Sequence, residues 1–316
     1  MRFGKMLLFS GRANRPLAEE IAKELKVKLG NIDIKNFADG ETYVNILEGV
    51  RGRDVFIIQP TGFPADSNLM ELLIMIDAAK RASAGRVTAV IPYFGYAKQD
   101  RKANHREPIT AKLVANLIAA AGADGVFAMD LHADQIQGFF DINLDFLYAS
   151  PVIVDYFVKK KLKDLVVISP DVGSSRRARS YAKRLGAELA IVDKRRPRPN
   201  VAEVLHLIGN VKGKNCIIID DEINTGGTII NAANAVMQHG AKEVYVACTH
   251  PVFAGDCISR LERSPIKEVI VTNTINLPAA KKFRKLKVLS VAKLIAASMK
   301  AIHEEKSVSA LLNPAK

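Results

Sequence analysis

The part of this chain best equipped for chemistry is an acid pair followed by a loop of hydroxyl and glycyl residues. In IIIDDEINTGGT (217–228), Ile217, Ile218 and Ile219 read as a strand buried in a parallel sheet, with Asp220 and Asp221 at its carboxyl end. That edge is where open α/β sheets take up ligands. Asn224, Thr225, Gly226, Gly227 and Thr228 then lead into IINAANAVMQHG (229–240), an Ala-rich stretch that reads as a helix. A helix start aims unpaired N–H groups and a positive dipole end at an anion. Glycines let the main chain approach a phosphate, and the threonine hydroxyls add donors. Two adjacent carboxylates can accept hydrogen bonds from vicinal ribose hydroxyls, so the whole order describes a cradle for a phosphorylated sugar. The plainer alternative is a strand, an acidic turn and a bend before a helix.

Other segments carry reactive groups. VVISPDVGSSRRARS (166–180) repeats the strand, acid and small-residue order: Asp171 suits a divalent cation or a helix cap, and Gly173, Ser174 and Ser175 offer main-chain donors. In AMDLHADQIQGFF (128–140), period-two spacing puts Asp130 and His132 on one face of an extended strand end, suited to a metal, a triphosphate or a structural role. NFADGETYVNI (36–46) reads as a hairpin turn around Asp39, Gly40 and Glu41. YFGYAKQDRKANHREPIT (93–110) is a long charged loop with Lys98, Gln99, Arg101, Lys102 and Arg106, either ligand-binding or merely solvated. VDKRRPRPNVAE (192–203) gathers Lys194, Arg195, Arg196 and Arg198 around two prolines, as an exposed basic loop or as a lid that brings cations onto a phosphoryl group.

These segments need a frame, and the rest of the chain supplies one. Apolar runs alternate with helical stretches: MLLFS, VFIIQ, VTAVIPYF and VFAMD, then LVVIS, LAIVD, CIIIDD, VYVACT and VIVTN. This is a βαβ pattern stated twice, an α/β fold of mainly parallel sheets flanked by helices. A boundary falls near Ala149 to Pro151, which predicts domains of 1–149 and 150–316, the second carrying the sugar-phosphate loop and a final helix that packs back on the first. NLMELLIMIDAAKRA (68–82) is helical and apolar around nearly its whole circumference from Leu69 to Ile76, so it is buried on more than one side, within its domain or across a subunit contact.

A length of 316 residues suits two domains, and 48% hydrophobic with 25% charged residues suits a soluble globular protein. No apolar segment reaches membrane-span length and MRFGKMLLFSGR is unlike a signal peptide, so a cytoplasmic protein is expected. Cys216, Cys248 and Cys257 match neither a zinc nor a disulfide spacing and read as reduced core thiols. The net charge of +13 is spread along the chain without interleaved aromatics, which argues for anionic small substrates or a solvated surface rather than nucleic acid. Neither a GxxxxGK[ST] loop nor a GxGxxG turn after a strand occurs.

FADGE, NLMELLIMIDAAKRAS, YFGYAKQDRK, EPITAKLVAN, DLHADQIQGFFD, SPDVG, VDKRRPRPN, IIIDDEINTGGT and CTHPV together resemble, in order and over almost the whole chain, the ribose-phosphate pyrophosphokinases of the phosphate-activated class. The resemblance implies two domains of the type I phosphoribosyltransferase fold and a homohexamer. It implies Mg²⁺-dependent transfer of diphosphate from ATP to ribose 5-phosphate. It assigns Phe37, Asp39, Glu41, Lys98, Gln99, Asp100 and His132 to ATP, with Asp39 and Glu41 reaching it from a neighbouring subunit. Asp130, His132 and Asp171 fall to the metal and polyphosphate, and Asp220, Asp221 and Asn224 to Thr228 to ribose 5-phosphate. Lys194 and Arg196 fall to catalysis, and Arg51, Ser83, Ser307 and Ser309 to a site for phosphate activation and ADP inhibition.

The chain departs from the family pattern at several places. Asn224 stands where an acid is usual, Lys98 where Arg is, Ser174 where a second glycine is, and Gly49 where regulated members often have Ser. A point charge at Lys98 replaces a stacking guanidinium, and a Cβ at Ser174 is expected to crowd its loop. Asn224 and Ser174 motivate an alternative: a low-activity paralogue serving as the regulatory subunit of a mixed oligomer. A nucleic-acid-binding regulator has only the net charge behind it.

Overall fold

The computed structural model describes residues 3–195 and 204–308, with backbone alone at Lys194, Arg195, Val204 and Leu205. The chain forms two compact units, one running to Tyr148 and taking up Thr274–Asn276 and the segment from Val291 on, the other made of Ala149–Asn273 and Leu277–Ser290. No helix among the described residues is long and apolar enough to cross a membrane.

The first unit contains β1 (Met6–Ser10), α1 (Arg15–Leu25), the hairpin β2 (Ile32–Asn36) and β3 (Thr42–Ile46), β4 (Asp54–Ile58), α2 (Ala65–Arg81), β5 (Arg86–Ile91), α3 (Thr110–Ala120), β6 (Gly125–Met129) and β7 (Asn143–Leu147). Its sheet runs β1-β4-β5-β6-β7, every pairing parallel. Because the order never reverses, right-handed crossovers put α2 and α3 on one face. There Leu72, Met75 and Ile76 of α2 and Val114 and Ile118 of α3 share a core with the alternating Val55, Ile57, Val87, Ala89 and Ile91. The intervening Phe56, Ile58, Val90 and Phe127 are buried too, which explains why these strands read as unbroken apolar runs. The apolar helix at 68–82 nevertheless buries a carboxylate: Glu71 is 2% exposed and accepts the backbone N–H and Nε of Arg12, both at 2.6 Å, and Nε2 of Gln59 at 2.9 Å.

The last helix, α8 (Ala292–His303), pairs with α1 and belongs to this first unit. A charge cluster fixes its end. Asp54, fully buried at the start of β4, accepts Arg86 Nε at 2.7 Å, Arg86 Nη2 at 2.5 Å and His303 Nδ1 at 2.6 Å, while Arg86 Nη2 also donates to the Ile302 carbonyl at 3.0 Å. A carboxylate without solvent needs such partners.

The second unit contains α4 (Ser150–Lys160), β8 (Leu165–Ser169), α5 (Ser175–Leu185), β9 (Glu188–Arg195), β10 (Val204–Ile208), β11 (Asn215–Ile223), α6 (Gly227–Gln238), β12 (Glu243–Pro251), α7 (Cys257–Arg263), β13 (Ile266–Thr272) and β14 (Leu286–Leu289). Pro151 stands in the first turn of α4, where its missing N–H costs nothing. The sheet order is β10-β9-β8-β11-β12-β13-β14, parallel except for the edge pair β9 and β10. From β8 the chain moves outward through α5 to β9; from β11 it moves the other way through α6 to β12. β8 and β11 are neighbours, so the strand order reverses between them, and their carboxyl ends border a crevice. The thiols fit the reading of core residues: all three are buried and free, and burial pushes Cys216 up to about 12 and Cys257 up to about 11.

Candidate functional site

Segment 217–228 lies at that reversal. β11 pairs with β8 only as far as Ile218, but with β12 as far as Ile223, so the strand outruns its neighbour on one side. Asp220 and Asp221 consequently lie inside β11 rather than beyond its end, contrary to the reading of the strand as stopping at Ile219. The one-sided extension exposes their flank to the loop between β8 and α5.

That loop supplies the partners of the acids. Arg177 Nη1 lies 3.2 Å from Asp221 Oδ1 and 3.6 Å from Asp220 Oδ1. Ser174 Oγ donates to Asp220 Oδ1 at 3.2 Å, and the Asp221 N–H donates to the same oxygen at 3.0 Å. The acid side chains are 14% and 7% exposed. Burial first, then the adjacent Asp221 carboxylate, holds the Asp220 carboxyl well above the usual carboxylate range; Arg177 acts in the opposite direction and Asp171 adds to the rise. Asp171 Oδ1 accepts the Ser174 N–H at 2.8 Å, so this carboxylate braces its own loop whatever else it binds. Ser174 has φ −83°, a conformation open to any residue, and its hydroxyl joins the two loops.

Beyond the acids, Gly226 adopts φ +76° and immediately precedes α6, whose first residue is Gly227. The left-handed turn presents Thr225 and Thr228, both exposed, at the helix start. The loop is held from behind by backbone bonds from Phe253 N–H to Ile223 O at 2.9 Å and from Ala254 N–H to Asn224 O at 3.0 Å. α7 closes the wall. A Cβ at Gly226 would stand 3.0 Å from Cys257 Sγ, and Arg260 Nη1 donates to the Thr225 carbonyl at 3.2 Å.

In the first unit the remaining candidates fall into three places. Phe37, Asp39 and Glu41 occupy the tip of the β2–β3 hairpin: the Phe37 N–H donates to Glu41 O at 2.8 Å, and the half-exposed Phe37 ring meets Tyr43 edge-on at 5.5 Å. Arg12 Nη1 ties this hairpin to the end of β1 through Asn36 Oδ1 at 2.7 Å. Lys98, Gln99 and Asp100 follow β5, and Asp130 and His132 follow the neighbouring parallel β6, so both groups emerge at one sheet edge. A bond from Gln135 Nε2 to Asp100 Oδ2 at 2.6 Å joins the two loops.

One sequence reading changes here. Asp130 has φ +41° and is 3% exposed while His132 is exposed, so the strand ends at Met129 and the pair does not share an extended face. The 93–110 loop is internally braced: Glu107 accepts the Ala103 and Asn104 N–H groups at 2.8 and 2.9 Å and Asn104 Nδ2 at 2.6 Å, and Gln99 accepts Thr110 Oγ1 at 2.5 Å. No group of three or more His, Cys, Asp or Glu side chains placed to hold a metal occurs among the described residues. Asp130 and His132 belong to the first unit and Asp171 to the second.

Arg51 and Ser83 meet across a backbone bridge between Arg51 and Ala84, with the Gly52 N–H donating to Ser83 O at 2.9 Å. Ser307 is exposed just past α8, and Ser309 lies outside the described residues. Lys194 is placed at the end of β9 by its backbone alone; Arg196, Arg198 and the rest of the proposed lid from 196 to 203 lie outside the described residues. Sequence reasoning does not single out Arg177, Arg260 or Arg12. Arg177 was legible only as part of a basic helix start, and Arg260 carries no local motif.

Fold and site together define an α/β protein of two mainly parallel-sheet units, one of which carries an acid pair and a glycyl turn at a strand-order reversal. Residues 6–122 match the profile of the N-terminal domain of ribose phosphate pyrophosphokinase, and residues 194–313 that of the phosphoribosyl synthetase-associated domain. The chain is 57% identical to a ribose-phosphate pyrophosphokinase of Bacillus cereus, and 55% identical to that of Bacillus subtilis, in each case over 97% of this chain and 96% of the relative. A crystal structure of phosphoribosylpyrophosphate synthetase from Mycobacterium smegmatis superposes with a TM-score of 0.91 at 44% identity, covering 96% of this chain and all of that one. The chain belongs to the ribose-phosphate pyrophosphokinase family.

Proposed function

We propose that this protein transfers the β,γ-diphosphate of ATP to O1 of ribose 5-phosphate, giving 5-phosphoribosyl 1-pyrophosphate and AMP. The observation that carries the reading is the joint placement of Asp220, Asp221 and the Thr225–Thr228 loop at the reversal between β8 and β11. Asp220 and Asp221 accept the vicinal ribose hydroxyls, and the loop amides with the Thr225 and Thr228 hydroxyls take the 5-phosphate, beside Asn224 and glycines 226 and 227. Arg177 and Ser174 hold the acid pair in place before the sugar arrives. Phe37, Asp39, Glu41, Lys98, Gln99, Asp100 and His132 form the ATP contacts in this reading.

The hard oxygen donors of Asp130 in the first unit and of Asp171 in the second each suit Mg²⁺, which needs only one or two carboxylates beside substrate phosphates, so the lack of a three-ligand cluster among the described residues does not disfavour it. When bound it neutralises charge on the polyphosphate. Lys194 and Arg196 bring further positive charge to the transferring group, where negative charge spreads over its oxygens during in-line displacement. The protein works in the cytoplasm as a homohexamer, activated by phosphate and inhibited by ADP through Arg51, Ser83, Ser307 and Ser309. The stripe Ile109, Leu113 and Leu117, exposed by 37%, 53% and 39% at helical spacing, supports an assembly of chains.

Nothing in the comparisons supports the low-activity paralogue, since full-length relatives at 53–57% identity are themselves named ribose-phosphate pyrophosphokinases. AMP release from ATP, Mg²⁺ and ribose 5-phosphate tests the activity directly, and its absence without a partner chain would revive the paralogue. Within an active protein, Lys194→Ala lowers turnover about 10²–10³-fold with little change in substrate binding. Near-normal turnover would remove Lys194 from the chemistry.

A further inference from the structure

We propose that Arg260 determines the preference of the sugar site for a phosphorylated pentose, by setting a guanidinium against the anion loop; this rests on the reading of Thr225–Thr228 as the 5-phosphate cradle. Arg260 lies on α7, one turn beyond Cys257, so the two residues share a face of that helix. Cys257 closes the underside of Gly226, and Arg260 reaches over the loop itself.

The geometry is specific. Arg260 Nη1 donates to the Thr225 carbonyl at 3.2 Å and lies 3.9 Å from Asp256 Oδ1, while Nη2 lies 3.8 Å from where a Cβ on Gly227 would stand. Thr225 Oγ1 lies 3.9 Å from the same position. A hydroxyl, a guanidinium nitrogen and the start of α6 thus lie together around Gly227. A guanidinium has more donors than the Thr225 carbonyl uses, and its planar fork matches phosphate oxygens. The side chain is 37% exposed, so its charge is available to a ligand and its replacement leaves the core intact.

The test is steady-state kinetics on the full-length protein with Arg260→Gln and Arg260→Lys, at several salt concentrations. Arg260→Gln raises KM for ribose 5-phosphate about 10–100-fold, the loss of one charge-assisted hydrogen bond, with kcat and KM for ATP within about twofold of wild type. The dependence of KM for ribose 5-phosphate on salt becomes shallower in Arg260→Gln, and Arg260→Lys recovers it in part. An unchanged KM overturns the proposal. So does a raised KM with an unaltered salt dependence, which would make Arg260 only a brace on the Thr225 carbonyl. Wild-type protein that releases no ribose-5-phosphate-dependent AMP sinks the parent reading and this inference together, whereas an active wild type with an indifferent Arg260→Gln sinks this inference alone.

Discussion

Gly226→Ala and Gly227→Ala separate the two demands made on the anion loop, backbone shape and open space. At Gly226 φ is +76°, and an L-residue held there costs roughly 1–2 kcal/mol. Its Cβ would meet Cys257 Sγ at 3.0 Å and Ile230 Cδ1 at 3.3 Å. Both neighbours are buried, so crowding adds about 1–3 kcal/mol. Lower unfolded-state entropy offsets about 0.4–1 kcal/mol. The net loss is about 1–4 kcal/mol, and relaxation of the strain tilts the Gly227 and Thr228 amides away from the anion. At Gly227 no positive φ intervenes and the nearest atoms to a Cβ are at 3.8 and 3.9 Å, ordinary contact distances. Gly227→Ala therefore changes stability by no more than about 0.5 kcal/mol, yet its methyl group would crowd the proposed 5-phosphate. Denaturant unfolding and KM for ribose 5-phosphate are the measurements. Gly226→Ala lowers stability and raises KM; Gly227→Ala raises KM alone. Equal destabilisation by both, or a Gly226→Ala protein as stable as wild type, would refute the argument from backbone conformation.

Other substitutions probe the supports. Arg177→Met removes a guanidinium from beside two poorly exposed carboxylates and costs up to about 3–5 kcal/mol, with a raised KM for ribose 5-phosphate that Arg177→Lys partly reverses; wild-type stability and KM would discount the network. Arg86→Met leaves the fully buried Asp54 with His303 and costs a similar ~3–5 kcal/mol, read by urea unfolding, with faster hydrogen exchange at the end of α8 as a second readout. The hydrogen bonds from Asn104, and then from Ala103, hold the Glu107 carboxyl below its ordinary 4.5. A lowered folded value means that the brace is complete above that pH and is lost as pH falls through the folded value. An NMR titration of the Asn104 amide follows this, and a midpoint at or above the ordinary value contradicts it.

Much of this protein was legible in one dimension. The Ile217–Ile219 run, the acids that follow it and the glycyl turn before an Ala-rich helix were legible as strand, acid pair and helix start because each depends on near neighbours in sequence. Burial of a parallel sheet on both faces wrote the central strands as continuous apolar runs. The weaker strands at Asn143–Leu147, Val204–Ile208 and Leu286–Leu289 escaped this reading, since edge strands are buried less and their sequences carry little pattern.

Tertiary structure alone decided what the acids touch. Whether a strand stops at Ile219 or continues to Ile223 depends on how far β12 extends its ladder beside it, and no local signal encodes a neighbour's length. Arg177 and Arg260 acquire meaning only when α5 and α7 set them against residues tens of positions away. The left-handed turn at Asp130, which parts it from His132, likewise belongs to the packed state, where surrounding contacts hold a backbone that an isolated aspartate would seldom adopt. Sequence wrote the local chemistry of the loop; the order of strands in the sheet chose which charges would meet it.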